Sequence, residues 1–312
     1  MAELFRPADL DEAIAVAGRL SGVPVTVAAG CTDLFPARGA GPLAGPVLDL
    51  SGVAALQGIS RGADGGVRIG AMTTWAAIRD ADLPPAFDAL RQAAAEVGSP
   101  QIQAAGTIGG NLCNASPAAD GVPCLMALDA RVEVASGGGL RVLALGDFLA
   151  GPRRTVLAAG EILTAVLVPG AAVAGASAFE KLGARRYMVI SVVMAVARIV
   201  ADGGRVAGAA LSVGAASPVA VRLGAVEAAL AGAHLDEAAG RVDPSAVAAA
   251  LSPIGDVRAD AGYRRGAAAE VLRRAVTRAA QAAGERTAGT QTAGTRTAGT
   301  RTAGTQTAGG RA

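Results

Sequence analysis

The chain has 312 residues, of which 52% are hydrophobic and only 3% aromatic, and its 28 basic and 26 acidic side chains leave a formal charge of +2. That length can bury a full core in two or more domains, whereas the near-neutral balance and scarcity of rings exclude nucleic acid as a main partner, for want of a basic footprint and a stacking platform. The acidic N-terminus MAELFRPADLDEA is no secretory leader, and no stretch is apolar for the roughly 20 residues of a membrane span, so a soluble cytoplasmic protein without a membrane span is expected.

Asp9 and Glu12 have capping-box spacing and open a predicted helix to Leu20, with Ala13, Ile14, Ala17 and Leu20 along one face. Val23 to Ala28 reads as a buried strand feeding the loop Ala29-Gly30-Cys31-Thr32-Asp33-Leu34, and Val47 to Leu50 as a second strand, so the first fifty residues predict a β–α–β unit. A second block follows, with a strand at Val67 to Ala71, a helix opened by Thr73 or Thr74, and another helix from Phe87 to Val97. It continues through the loop GTIGGNLCNASPAAD from Gly106 to Asp120, then strands near Arg131 to Ala135, Gly139 to Leu145 and Ile162 to Val168. From Ala176 the pattern changes to long apolar strands, Met188 to Val200 and Val206 to Gly214, joined by the hairpin turn Asp202-Gly203-Gly204. Helices at Ser217 to Leu230, Asp243 to Leu251 and Tyr263 to Ala283 complete a separate α+β domain whose boundary is expected near Gly170 to Gly175. From about residue 285 the chain repeats TAGT with Gln or Arg; without a large apolar residue, 285–312 is expected to be a flexible tail with no function.

The chemistry concentrates in the two glycine-bearing loops. Glycine allows positive φ and close backbone approach, so successive N–H groups can converge on an anion such as a phosphate. Gly106, Gly109 and Gly110 stand beside Thr107, Asn111, Asn114, Ser116 and Asp120, an order that a plain linker does not require. Neither loop fits GxGxxG, and GxxxxGK[ST] is missing, so a cofactor is expected in two backbone nests and not at a helix N-terminus. Cys31, Cys113 and Cys124 lack CxxC spacing and cannot fill the four thiolate positions of an ordinary iron–sulfur cluster, which places any cluster on a partner. His234, the sole histidine, reads as a helix-end cation, and Cys113 as a buried apolar residue. No Ser-His-Asp, Cys-His or paired-carboxylate set supports hydrolysis, and no catalytic or metal-ligating residue is assigned.

AAGCTDL at 28–34 together with GTIGGNLCNASPAAD at 106–120 resembles the two FAD-binding loops of the medium, flavin-binding subunits of molybdenum hydroxylases, the carbon monoxide dehydrogenase and xanthine dehydrogenase type. The resemblance extends to IGAMTTWAAI at 69–78, Ser99-Pro100-Gln101-Ile102, GEILTAVLVP at 160–169 and FEKLGARRYMVISVV at 179–193, and so covers Phe5 to about Ala280 in order. It implies an α+β fold: a two-subdomain FAD-binding domain of the vanillyl-alcohol-oxidase (PCMH) type over 1–172, split near residue 55, then an α+β C-terminal domain of antiparallel sheet plus helices over 173–284. By position it implies that Ala29, Gly30, Cys31, Thr32, Asp33 and Leu34 wrap the FAD pyrophosphate from the first loop. Gly106, Thr107, Ile108, Gly109, Gly110, Asn111 and Asn114 would do so from the second. Asp120 would bind the cofactor's polar end, Leu163 and Lys181 would contact the flavin, and Ile102 would line the cleft. Many relatives have a second glycine or a histidine where this chain has Cys31 and Thr32, and the cysteine-rich insertion of the benzoyl-CoA reductase branch is missing.

The resemblance further implies an oxidoreductase, the electron-transfer subunit of a molybdopterin-dependent dehydrogenase. It would work with a small subunit carrying [2Fe–2S] clusters and a large molybdopterin subunit, in a dimer of heterotrimers, and pass electrons to NAD or another acceptor. An independent flavoenzyme of the same fold and a flavin-free scaffold are the alternatives.

Overall fold

A computed structural model describes residues 3–38 and 41–298. Strand β1 (Leu4–Phe5) leads into helix α1 (Leu10–Arg19), whose Asp9 cap accepts the Glu12 N–H at 2.8 Å while Glu12 accepts the Ala8 N–H at 2.8 Å. This variant of the expected box satisfies two donors at the helix start. Strand β2 (Thr26–Ala28), helix α2 (Leu34–Arg38) and strand β3 (Val47–Asp49) complete the first unit, with β1 and β2 both parallel to a central β3. Its small core sets Ala13, Val16 and Ala17 of α1 against Leu48, Leu50 and Leu56.

Next come strands β4 (Ile59–Arg61) and β5 (Val67–Gly70), and helices α3 (Trp75–Asp80), α4 (Asp88–Glu96), α5 (Pro100–Ala105), α6 (Ile108–Asn114) and α7 (Gly121–Ala127). Strands β6 (Arg131–Ser136) and β7 (Gly139–Ala144), the short helix α8 (Leu145–Phe148), the hairpin β8 (Leu149–Gly151) and β9 (Arg154–Thr155), and strand β10 (Ile162–Val168) follow. The antiparallel sheet runs β4-β5-β10-β6-β7 and supports a core centred on Trp75, Phe87, Leu90, Leu125 and Phe148.

The C-terminal part is a four-stranded antiparallel sheet, β11 (Ala176–Leu182), β12 (Val193–Asp202), β13 (Arg205–Gly214) and β14 (Val221–Arg222), with helices α9 (Gly224–Leu230), α10 (Pro244–Ala250) and α11 (Ala261–Ala298). Gly203 and Gly204 take φ of 53° and 75° in the β12–β13 turn, the left-handed pair that a two-residue hairpin favours. Strand periodicity explains why β12 reads as a continuous apolar run: Val193, Ala195, Ala197 and Ile199 face the α9–α11 core, while Met194 and Val196 face the core of the preceding domain. Arg198 shares the second face. There its guanidinium donates to Ala127 O at 2.8 Å and Ala174 O at 3.3 Å, and pairs with Asp129 at 3.1 Å. The two parts therefore meet through packed sheet and helix, with Ser177 of β11 accepting the Ala89 N–H of α4 at 2.8 Å.

Four expectations need correction. The strand expected from Met188 begins at Val193, because Met188 sits at φ 48° in a turn whose carbonyl accepts the Arg185 guanidinium. The helix expected from Ser217 begins at Gly224, because Val221 and Arg222 pair with Val213 and Ser212 as β14. The Gly106–Asp120 run is not a loop throughout, since it contains α6. Finally, α11 runs through residues 285–298, the first part of the segment expected to be flexible: extending a helix already anchored by packing adds one bond per residue and avoids the unfavourable nucleation step. The rest of that segment, 299–312, lies outside the described residues.

Arg198→Met keeps the stem volume but strips two carbonyls of their donor and Asp129 of one of its cations. It should lower unfolding free energy by about 2–3 kcal/mol, measured by urea denaturation, with the binding loops' local structure unchanged by circular dichroism.

Candidate functional site

The first loop leaves the C-terminal end of β2, the end of parallel strands at which open sheets place ligands. Cys31 adopts φ 57°, a left-handed residue in a run whose Gly30, Cys31, Thr32 and Asp33 N–H groups have no acceptor among the described residues. Such a run, with one residue left-handed among extended or helical neighbours, forms an anion-binding concavity. The backbone of Ala29–Asp33 is therefore a set of unspent donors.

The second run behaves differently. Thr107 is the N-cap of α6, its hydroxyl accepting the Gly110 N–H at 3.1 Å. The Ile108 N–H goes to Thr73 O at 3.0 Å, that of Gly109 to Ala71 O at 2.8 Å, and that of Asn111 to Thr107 O at 3.0 Å. The N–H groups of Ile108–Asn111 are thus spent within the protein, which corrects the expected backbone nest for those four residues; the Thr107 N–H has no acceptor among the described residues, and beside it the run offers side chains at a helix start. Its glycines serve packing. A Cβ on Gly109 would lie 2.6 Å from Ala71 O, and one on Gly30 would lie 2.0 Å from Ala105 O.

The two loops nonetheless meet. Gly110 faces Ala29, a Cβ on Gly106 would lie 3.2 Å from Thr32 Oγ1, and Asn114 Nδ2 donates to Asp33 Oδ2 at 2.7 Å. Arg153 of the β8–β9 turn, a residue sequence reasoning missed, donates to the Asn114 side-chain oxygen and so fixes its amide orientation. Asn111 Oδ1 is buried with no hydrogen-bond partner. An orphaned buried acceptor is costly, and here it stands on α6 between the loops and α7. Ile102 is half-buried on α5, where its carbonyl accepts the Gly106 N–H at 2.7 Å. Leu163 lies in the core beside the β10 bulge, one residue before Thr164, whose carbonyl accepts the Ala71 N–H at 2.9 Å. Leu34 opens α2, half-buried, directly after the donor run.

Asp120 and Lys181 are far apart in sequence but form a buried ion pair, Nζ to Oδ2 at 2.7 Å, with side chains only 8% and 5% exposed. Ser191 donates its hydroxyl to the other carboxylate oxygen at 2.7 Å. Burial raises the Asp120 pKa above the ordinary carboxylate value, and Lys181 and Ser191 act against that shift. Glu96, at the end of α4, is likewise raised by burial, with Lys181 pulling the other way. Lys181 is thus no solvated surface lysine. Ser191 was the signal available in FEKLGARRYMVISVV: a lone hydroxyl in the apolar stretch just before β12.

Cys113 differs from its expected burial. It is exposed, while desolvation by the surrounding protein pushes the thiol up to about 12. Cys124 is fully buried, and Cys31 half-buried with its thiol raised by desolvation and by Asp49. Among the described residues, no three His, Cys, Asp or Glu side chains gather as a metal site, and no helix is long and apolar enough to cross a membrane. Trp75 is core, packed under Gly121, while Tyr187 is exposed. His234 follows Gly232 and bridges to Arg205 beside the end of α9.

A dinucleotide flavin fits this set. Its phosphate oxygens only accept, matching the unspent donors of Gly30–Asp33 and the Thr32 hydroxyl, and its hydroxyl-bearing chain supplies a donor of the kind Asn111 Oδ1 lacks.

A family model described as the FAD binding domain in molybdopterin dehydrogenase matches residues 1–171, and one described as the CO dehydrogenase flavoprotein C-terminal domain matches residues 155–279. The carbon monoxide dehydrogenase medium chain of Afipia carboxidovorans is 33% identical over 283 residues, 89% of this chain and 96% of that one. The nicotinate dehydrogenase FAD-subunit of Eubacterium barkeri is 38% identical over 196 residues, 61% of this chain and 66% of that one. Among solved structures, reconstituted CO dehydrogenase from Oligotropha carboxidovorans superposes with a TM-score of 0.82 at 29% identity, covering 90% of this chain and 98% of its counterpart.

Asp120→Asn leaves Lys181 as an uncompensated buried charge and should destabilise the protein by about 3–5 kcal/mol. Adding Lys181→Met should return most of that loss, which urea denaturation of both variants measures; equal instability of the double variant would show that the pair's charge is not what matters.

Proposed function

We propose, because this chain belongs to the molybdopterin dehydrogenase family of FAD-binding subunits, that it is the electron-transfer subunit of a heterotrimeric molybdenum hydroxylase. In this reading it collects electrons from [2Fe–2S] clusters of a small partner subunit and delivers them to NAD or another acceptor. The large partner subunit holds molybdopterin and oxidises the organic substrate, and two heterotrimers associate. The whole operates in the cytoplasm.

The observation that carries the reading is the run of four unspent N–H donors at Gly30–Asp33, set against Asn114 and the Thr107-capped helix. Bound FAD would supply a carrier that takes electrons singly and releases them in pairs. Gly30, Cys31, Thr32 and Asp33 would hold the pyrophosphate by backbone donors, with Ala29 and Leu34 framing the run. Thr107 and Asn111 would add side-chain partners, Gly106, Ile108, Gly109 and Gly110 the close-packed floor, and Asn114 the tie that keeps the two loops in register. Ile102 and Leu163 would exclude water from the same cleft.

Asp120 and Lys181 take roles toward the cofactor's polar end that their pairing refines. Lys181 retains two further N–H donors beyond the one given to Asp120, and its charge lowers the cost of holding negative charge nearby. Asp120 and Ser191 fix where that ammonium stands, so they act as positioning residues. Residues 1–172 would form the flavin domain, with subdomains meeting near residue 55, and 173–284 the C-terminal domain that brings Lys181 to it.

Cys31→Pro forces φ to about −65° and removes one donor from the cradle. Flavin affinity should fall about 10- to 100-fold, the worth of one or two charge-assisted hydrogen bonds, measured by quenching of flavin fluorescence on titration into the apoprotein. A wild-type chain that stays colourless after incubation with FAD would instead favour a scaffold that has lost the cofactor.

A further inference from the structure

Two carboxylates border the unspent donors of Gly30–Asp33, and a carboxylate has the same sign as the phosphates those donors suit. Asp49 lies on β3 in register with Ala28 at the end of β2, close enough that its charge, after desolvation, is the next cause raising the Cys31 thiol. Arg6 meets Asp49 at 3.2 Å, and the Ser51 N–H donates to it at 2.9 Å. Asp33 is the only charged side chain within Ala29–Leu34. Among the described residues it has no ion pair, and its carboxylate has a single hydrogen-bond partner, Asn114 Nδ2 at 2.7 Å.

Asp33 stands directly before α2, where an acid ordinarily caps the N–H of the second or third helical residue. Here the third is Pro36, which has no N–H, and the second, Phe35, gives its N–H to Cys31 O at 3.4 Å. With no cap to make, an untied Asp33 carboxylate would stand beside the donor run and repel any anion held there.

The tie to Asn114 works in one amide orientation only, because the amide nitrogen attracts a carboxylate and the amide oxygen repels it. Arg153 decides the orientation. Its backbone N–H donates to Ala115 O at 2.8 Å, which seats the β8–β9 turn on the left-handed end of α6. Its guanidinium donates to the Asn114 side-chain oxygen and leaves the amide nitrogen for Asp33. Both acids are therefore answered by an arginine, Asp49 directly and Asp33 through one amide. Among the described residues Arg153 forms no ion pair of its own, so its positive charge is not neutralised.

We infer that Arg153 is a positioning residue for the anionic cofactor: acting through Asn114, it holds the Asp33 carboxylate at the end of α6, so that the donor run takes a diphosphate without an opposing charge turned toward it. The inference rests on the flavin reading given above. It gives the β8–β9 turn, which lies outside both glycine runs, a part in cofactor binding.

The test titrates FAD into the full-length apoprotein and reads its dissociation constant from the quenching of flavin fluorescence, at low and at high salt. Arg153→Met should weaken binding about fivefold at low salt, the worth of a partly exposed charge contact. Its deficit against wild type should shrink at high salt, which screens the repulsion that Arg153 offsets. Asp33→Asn removes that repulsion, keeps the backbone donor, and should bind FAD more tightly than wild type. Once Asp33 is Asn, adding Arg153→Met should cost about twofold or less, because the two residues act through one chain of contacts. An Arg153→Met deficit as large in the Asp33→Asn background as in wild type would show that Arg153 only braces the turn, and would overturn the inference. Wild-type affinity in Arg153→Met, or weaker binding by Asp33→Asn alone, would overturn it too. Each of these leaves the flavin reading standing, whereas a wild-type chain that binds no FAD would remove that reading and this role together.

Discussion

The arrangement turns on one buried contact, the carboxylate of Asp120 against the ammonium of Lys181 with the Ser191 hydroxyl beside them. Asp120 immediately precedes α7 in the flavin-domain family match, Lys181 belongs to β11 of the sheet that follows, and Ser191 to the loop between β11 and β12. Two charges out of water tolerate little displacement, because separation leaves each unpaired in a low-dielectric interior. The contact therefore fixes the angle at which the C-terminal sheet meets the flavin-domain helices. Arg198, reaching across to Ala127 and Asp129 from the same sheet, holds the seam from further along.

Within that frame the two glycine runs divide the work in a way their composition conceals. Both look permissive, yet one has spent its amide donors from Ile108 to Asn111 and the other has not spent those of Gly30 to Asp33. The difference comes from neighbours: α6 begins under the carbonyls of Ala71 and Thr73, which absorb the Ile108 and Gly109 N–H groups, whereas the chain after β2 emerges beyond the last strand pairing, where no carbonyl of the described residues accepts from its N–H groups. Glycine at 30 and 109 is demanded by backbone against backbone, not by a ligand. Accounting for each N–H separates these roles where a count of glycines does not.

Much of the fold was legible because local signals agreed with tertiary demand. The Asp9 and Glu12 box and the Asp202-Gly203-Gly204 turn each have a local physical cause and appear where that cause puts them. The failures have non-local causes. Residues 188–192 look like strand, but Met188 is held left-handed by the Arg185 guanidinium bonding its carbonyl. Residues 217–223 look like helix start, but an edge of β13 recruits Val221 and Arg222. At the candidate site the residue set carried by family resemblance is brought together in space, from Gly30 to Asn114. What sequence left unseen was connectivity: that Asp120 answers Lys181, that Arg153 holds Asn114, and that Ser191 belongs to the same group.

Cys113 lies on α6 with its thiol pushed up to about 12. At neutral pH essentially all of it is therefore S–H, and the species that attacks peroxides and electrophiles is the thiolate. A sulfur so placed resists the oxidising by-products that redox proteins generate when electrons leak to oxygen. An exposed position on α6 is kept chemically quiet by desolvation alone.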